Sequence, residues 1–410
     1  MLKLLMKSKA DEKKKTKELI DEFINVNRDT NYKSLDEFLK GLRLFLYKKW
    51  DEIDRKVLKE LVLGKIKEYK LSFYTDNLET IYEKIANDAL LGVGAVVAIK
   101  PKFVFDKTDM LAIKSMRDMF YWTGVEHSVK TQEKLKSIIE DVFNGDLPRV
   151  EVAKKLESEF NGILSADRGY FEGVADHLIN QSQNVARVTQ ALKYGIKAFR
   201  VVATIDNRTS DICRSMNGRV INAKHLGKQV EELLKAKSMA EKKNAALWKS
   251  SFLFGKLPKN FGLPPYHFRC RTMVVPITVK KDKIDGKDVI YTRKRKEDAI
   301  VHIDKSGVER IIKKNIYAKL KNKHRLRDKE IIGVLNDLKY IAPKGGQESR
   351  FVALSGRGYV AVFDANEVVS IFKPGANATN YFNKNAKCGK ITDIDSGNVI
   401  ERVKKWFEIL

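Results

Sequence analysis

The sequence predicts an α+β protein. Apolar residues recur at helical spacing through most of the first 200 residues. No proline occurs before Pro101, and strand-and-turn signals gather near residues 200, 275 and 350–372. A chain of 410 residues is long for one core, so two or three domains are expected. The composition divides it into a helical region over 1–165, a small mixed module over 166–279 with a helical insertion near 223–250, a basic linker or extended arm over 280–296, and a C-terminal α+β module over 297–410.

Leu35, Phe38, Leu39, Leu42, Phe45 and Leu46 form one apolar stripe, and Ser34 with Glu37 ahead of it reads as a capping box. Val57, Leu58, Leu61, Val62 and Ile66 form a second stripe, and Asn77–Leu91 a third helix. Helices are expected over Asp109–Trp122 with Gly124 as the stop, from Ser128 or Thr131 to Phe143, over Glu151–Phe160, and over Ala166–Tyr194 up to Gly195. Beyond the linker, Ser306–Lys321 and Asp328–Tyr340 read as helices. Arg350–Ser355, Tyr359–Phe363 and Val368–Phe372 read as strands joined at Gly356-Arg357-Gly358 and Asp364-Ala365-Asn366. Asn398–Leu410 reads as a closing amphipathic helix.

Lys and Arg number 79 against 53 Asp and Glu, a net charge of +26. Such a surplus points to a polyanionic neighbour, most simply nucleic acid, although Lys-rich solvated helix faces give the same count. Three cysteines, an odd number, argue against a disulfide framework and for a reducing cytoplasm. The stretch before Lys7 is too short for a signal sequence. Ala89–Ile99, the most apolar run, is about half the length that spans a bilayer.

Chemistry-bearing residues concentrate between Phe199 and Ile277. A strand ends in a polar knuckle with Asp206, Arg208, Thr209, Ser210 and Cys213, followed by Gly218. Later Pro264 and Pro265 form a rigid turn that delivers His267, Cys270 and Arg271 into a second strand. Cys213, His267 and Cys270 suit zinc, with His225 or Asp206 as a fourth ligand, and the His-x-x-Cys half has the spacing of two ligands on one turn. Two buried thiols beside a hydrogen-bonded histidine, or a redox link between the cysteines, account for the same residues. Asp206 and Arg208 suit an Asx-turn, and Arg269 and Arg271 suit either pairing with Asp206 or Asp211 or contact with phosphate. The chain has no Gly-rich phosphate loop and no His-Glu-x-x-His helix, so this module reads as structural.

The ordered set Asp206, Arg208, Thr209, Cys213, Gly218, Pro264, Pro265, His267, Cys270 and Arg271 resembles the phage Mu F-like head morphogenesis family over roughly 167–277. Ser210 and Thr272 stand where that family often has cysteines, and Arg187 matches a helix element whose acid is replaced by Thr189 or Gln190. The resemblance implies a minor head protein of a tailed phage or prophage, made in the host cytoplasm and carried in the virion. It would dock on the portal or the major capsid protein and touch packaged DNA without sequence preference. The C-terminal module is similar in helix–helix–hairpin order to the barnase, EndoU, colicin and RelE-like ribonucleases. That implies an alternative, a toxin delivered by the virion. Metal-free RNA cleavage needs a base, an acid and cations for the developing phosphorane charge. His324, Arg325, Arg327, Ser355, Arg357 and Thr379 are the candidates, with Tyr381 and Lys373 nearby in sequence.

Overall fold

The computed structural model describes residues 2–97, 100–145, 147–284, 287–291, 299–346, 350–375, 377–387 and 389–403. The α+β class holds: helices fill the N-terminal half and strands dominate the C-terminal part. The chain forms two compact units, one of Met1–Asp88, Val104–Gln183 and Leu234–Lys242, the other of Ala89–Phe103, Asn184–Leu233 and Lys243–Leu410. Among the described residues no helix is long and apolar enough to cross a membrane.

The helices of the N-terminal half are α1 (Leu2–Lys49), α2 (Arg55–Glu68), α3 (Leu78–Val97), α4 (Lys107–Asn144) and α5 (Arg149–Lys193). Each is longer than its sequence pattern suggested. The Ser34–Glu37 pattern caps nothing, because α1 runs through it. No Gly or Pro interrupts residues 2–40, and a capping residue acts only where the backbone leaves the helix. Leu35, Leu39, Leu42 and Leu46 are buried as the stripe required. On α2, Leu58, Val62 and Ile66 are buried while Val57 and Leu61 face solvent. Phe73 and Phe120 meet at 5.6 Å, and each touches a further ring, Phe171 and Phe23 respectively.

Gly124 is not a stop. It lies inside α4 because the Leu71 backbone passes against it: a Cβ there would stand 2.8 Å from the Leu71 carbonyl oxygen. Ser128 completes the join, accepting from Leu71 N–H at 2.8 Å and donating to the Gly124 carbonyl at 2.8 Å. Gly162, inside α5 where two helices were expected, meets nothing within 4 Å. Alanine should therefore act oppositely at the two sites. Gly162→Ala gains helix propensity, up to about 1 kcal/mol. Gly124→Ala gains the same but forces the Leu71 segment away, an overpacking cost of about 1–3 kcal/mol. Urea midpoints should rise for the first and fall for the second.

After α5 come β1 (Ala198–Val202), α6 (Asp211–Met216), β2 (Val220–Asn222), α7 (Ala223–Lys235), α8 (Met239–Ala245) and β3 (Met273–Ile277). β1 lies between β2 and β3, antiparallel to both, with Ala198 opposite Ile277 and Val202 opposite Met273. Asn184 on α5 is fully buried and closes onto β3: its Oδ1 accepts from Val274 N–H at 2.9 Å. Gly92 of α3 faces the same strand, where a Cβ would meet the Pro276 ring at an ordinary 3.7 Å.

The stretch read as a linker carries a hairpin, β4 (Lys280–Ile284) with β5 (Lys287–Tyr291), and 292–298 lie outside the described residues. Next come β6 (Ala299–Ile303), β7 (Glu309–Lys313), α9 (Lys314–Asn322), α10 (Asp328–Leu335), β8 (Leu338–Pro343), β9 (Arg350–Ser355), β10 (Val360–Asp364), β11 (Glu367–Phe372), α11 (Ala378–Asn385), β12 (Ile391–Asp393) and β13 (Val399–Ile400). They form an eight-stranded sheet, β13-β12-β8-β9-β10-β11-β7-β6.

Three expectations fail here. Residues 309–313 are strand β7 and not the start of a helix, residues 338–340 open strand β8, and Val399–Ile400 pairs with β12 where a closing helix was expected. The remainder of that expected helix, 404–410, lies outside the described residues. The sheet is covered on both faces, so its central strands are continuously apolar. Phe351, Ala353, Ala361 and Phe363 face the core under α9 and α10, while Val352, Leu354, Val360 and Val362 pack with Phe382 of α11. Phe254, from the segment between α8 and β3, belongs to the first of these cores and meets Phe351 at 5.6 Å.

A candidate metal centre at the folded-back motif

Antiparallel pairing of β1 with β3 brings the segment after β1 and the segment before β3 together. The knuckle after β1 is an Asx-turn: Asp206 Oδ1 accepts from Arg208 N–H at 3.0 Å, and the Thr209 hydroxyl donates to the Thr204 carbonyl at 2.7 Å. Arg214 reaches back to the carbonyls of Asp206 and Thr209 at 2.6 and 3.1 Å. Arg271 then forks onto the Asp206 carboxylate with two bonds of 2.7 Å. These bonds, ahead of those from Thr209 and Arg208, hold Asp206 well below the usual carboxylate range. Of the two pairings open to Arg271, the structure selects Asp206; Asp211 pairs with Lys390.

Gly218 has a backbone conformation that favours glycine, φ +80, and a Cβ there would press on Asn366 at 3.2 Å. Pro264 and Pro265 are buried and joined by a cis bond. The chain beyond them carries His267 and Cys270 to α6. Cys213 Sγ lies 3.5 Å from Cys270 Sγ and 3.2 Å from His267 Nε2, and the three ligand atoms all fall within 4.8 Å of one another. A possible metal-binding triad is thus assembled, with both thiols buried.

Three features fit this triad to a metal. Zinc holds sulfur at about 2.3 Å and imidazole nitrogen at about 2.0–2.1 Å, which places tetrahedral neighbours roughly 3.5–3.8 Å apart. Cys213 Sγ stands at or slightly inside that range from both other ligand atoms. His267 Nδ1 lies 2.8 Å from the Phe268 carbonyl, so it carries the proton and Nε2 offers its lone pair to the cysteines. Finally, the two thiols are held unequally. Cys270 is lowered well below the ordinary thiol range, first by the bond from Cys213, with burial opposing and His267 helping, while Cys213 is raised by the same bond and by burial. His267 is raised in turn by its bond to Cys270.

Neither proposed fourth ligand is in place. His225 Nε2 bonds the Phe261 carbonyl at 2.7 Å, and the Asp206 carboxylate is taken by Arg271. Ser210 Oγ stands instead 2.8 Å from His267 Nε2, and the Thr272 hydroxyl donates to Cys213 Sγ at 3.1 Å. The two positions where the sequence departs from the cysteine pattern are therefore the two hydroxyls bordering the cluster. Sequence order marked both positions but not their contact with the thiols. Arg208 points its side chain to solvent.

The C-terminal candidates do not converge on one acid–base pair in their contacts. His324 approaches Ser370 Oγ at 3.5 Å and stacks on Phe372. Ser355 is buried and accepts from Tyr359 N–H. Arg357 faces Asp337 at 3.8 Å, Arg327 pairs with Glu330, and Thr379 is buried in the first turn of α11. Arg325 sits in the left-handed region, φ 52, at the turn into α10. Burial, with Lys319 and Lys323 adding, lowers the His324 imidazole below its usual value.

No family model, curated protein or solved structure matches the chain.

Proposed function

We propose that the chain is a minor head protein of a tailed phage or prophage, held at the portal or inner shell, whose basic surface contacts packaged DNA without sequence preference. The observation that carries this reading is the clasp: Asp206 to Arg271, Ser210 to His267 and Cys213 to Cys270 join two motif halves more than fifty residues apart in sequence. Apart from Ser210, which stands where that family often has a cysteine, those are positions on which the likeness to the Mu F-like family rests. The net charge of +26 supports the DNA contact.

Within the clasp, Cys213, Cys270 and His267 would hold zinc, with Ser210 or a water completing the shell. The ion would act structurally, pinning the two motif halves together. The central module has no other chemistry assigned to it.

The test is co-purification. A tagged chain produced during phage growth should sediment with portal-containing heads and remain after nuclease treatment. Heads of normal composition without it would sink the reading. The alternative, a virion-delivered ribonuclease, predicts RNA cleavage lost in His324→Ala; none of the contacts described above favours it.

A further inference from the structure

The eight cations between Lys313 and Lys329 are not equivalent. Lys313 pairs with Glu367, Lys321 with Asp328, and Arg327 with Glu330, so the acids around this turn are already neutralised. Lys319, Lys323 and Arg325 are exposed and make no ion pair among the described residues, and the same is true of Lys373 and Lys384. Among these cations lies a run of rings. His324 stacks on Phe372 with centroids 5.9 Å apart and planes 30° from parallel, and Phe372 meets the edge of Tyr381 at 5.3 Å. Tyr381 is 37% exposed, and His324 and Phe372 are half-buried.

We propose that His324, Phe372 and Tyr381 form a platform for single-stranded nucleic acid, with bases stacking on the rings and Lys319, Lys323, Arg325 and Lys373 holding the phosphates. Duplex DNA keeps its bases inside and offers phosphates only, so a partly exposed run of rings set among cations without an ion pair among the described residues matches a strand whose bases are free. The lowered His324 supports this, since a neutral, half-buried imidazole is suited to stacking and not to proton donation at neutral pH. The site is independent of head assembly and stands or falls separately from it.

The test is fluorescence anisotropy on the full chain with three labelled probes at equal length: a 15-mer of thymidylate, its abasic counterpart, and a 15-base-pair duplex. The thymidylate strand should bind at least tenfold more tightly than the abasic strand. Tyr381→Ala should weaken it by about 5- to 100-fold, whereas Tyr381→Phe should not. Lys319→Gln with Lys323→Gln should reduce the single-strand salt slope by about 1.4. Equal binding of the thymidylate and abasic strands would overturn the proposal even if a variant failed to fold, as would no binding of the thymidylate strand at all; duplex binding that Tyr381→Ala leaves unchanged belongs to the packaged-DNA contact and not to this platform.

Discussion

Replacing Ser210 with cysteine is expected to raise zinc affinity by more than tenfold, and Cys213→Ala to lower it by more than a hundredfold. The first follows from position. Ser210 Oγ already lies 2.8 Å from His267 Nε2 on the edge of the triad, and a thiolate there would supply the fourth strong ligand of a closed site. The second follows from ligand count. Removing one thiolate leaves a single sulfur and one imidazole, a larger loss than the 10- to 100-fold typical of partners that only orient a ligand. Zinc bound after gel filtration, measured by elemental analysis and by competition with a chromogenic chelator, reads both changes. Zinc should also raise the melting temperature of the wild-type chain and leave that of Cys213→Ala unmoved. A stoichiometry near zero for wild type and Ser210→Cys alike would remove zinc from the reading and leave a buried thiol pair.

The second large effect concerns Lys242. Its ammonium is buried and donates to the carbonyl and the hydroxyl of Ser115, both at 2.6 Å, beneath Trp122. Burial lowers its pKa to about 7; Asp118, itself paired with Lys114, offsets this only in part. The unfolded chain holds this proton up to about pH 10.4, so between the two values the unfolded state binds more protons than the folded one. The Lys242 contribution to stability therefore rises with pH from about 7 towards 10, and the full cost of burying the charge is present only below about pH 7. The shift sets an upper bound of about 5 kcal/mol. Urea unfolding at pH 6 and pH 9.5 should show a higher midpoint at the alkaline value. Lys242→Met should flatten that dependence and raise the midpoint at pH 6. A wild-type midpoint independent of pH would contradict this account.

Lys242 also illustrates what a linear sequence conceals. It stands next to Lys243 in a polar helix and carries the signature of a solvated face; only tertiary packing encloses it. Gly124 is a similar case. Glycine signals helix termination or close approach with equal force, and the deciding partner, Leu71, is remote in sequence. Arg310 is a third. In the expected helix it would have been a surface charge, yet on β7 it is buried against Asp304 and Phe363. Strand β7 was missed because its neighbours in the sheet, among the described residues, are β6, whose neighbouring sequence is charged, and β11, which arrives more than fifty residues later. By contrast, β9, β10 and β11 were legible because tight turns with Gly358 and Ala365 at positive φ fix their register locally. The triad was legible from spacing, while its fourth neighbour was not. Whether Ser210, His225 or Asp206 closes the site depends on which carbonyls and guanidiniums claim the others first.

The segment before β3 gives Phe254 to the core beneath the eight-stranded sheet. Arg200 of β1 pairs at 2.7 Å with the fully buried Glu309 of β7, and the backbones of Gly218 and Val220 bond those of Glu309 and Gly307. A proteolytic nick or an early start codon near residue 296 would consequently not set free an autonomous C-terminal fragment. The excised piece would carry a vacancy the size of a phenyl ring, a carboxylate robbed of its guanidinium and an open strand edge, and it would tend to aggregate. Whatever the sheet does, it does while tethered to the clasp.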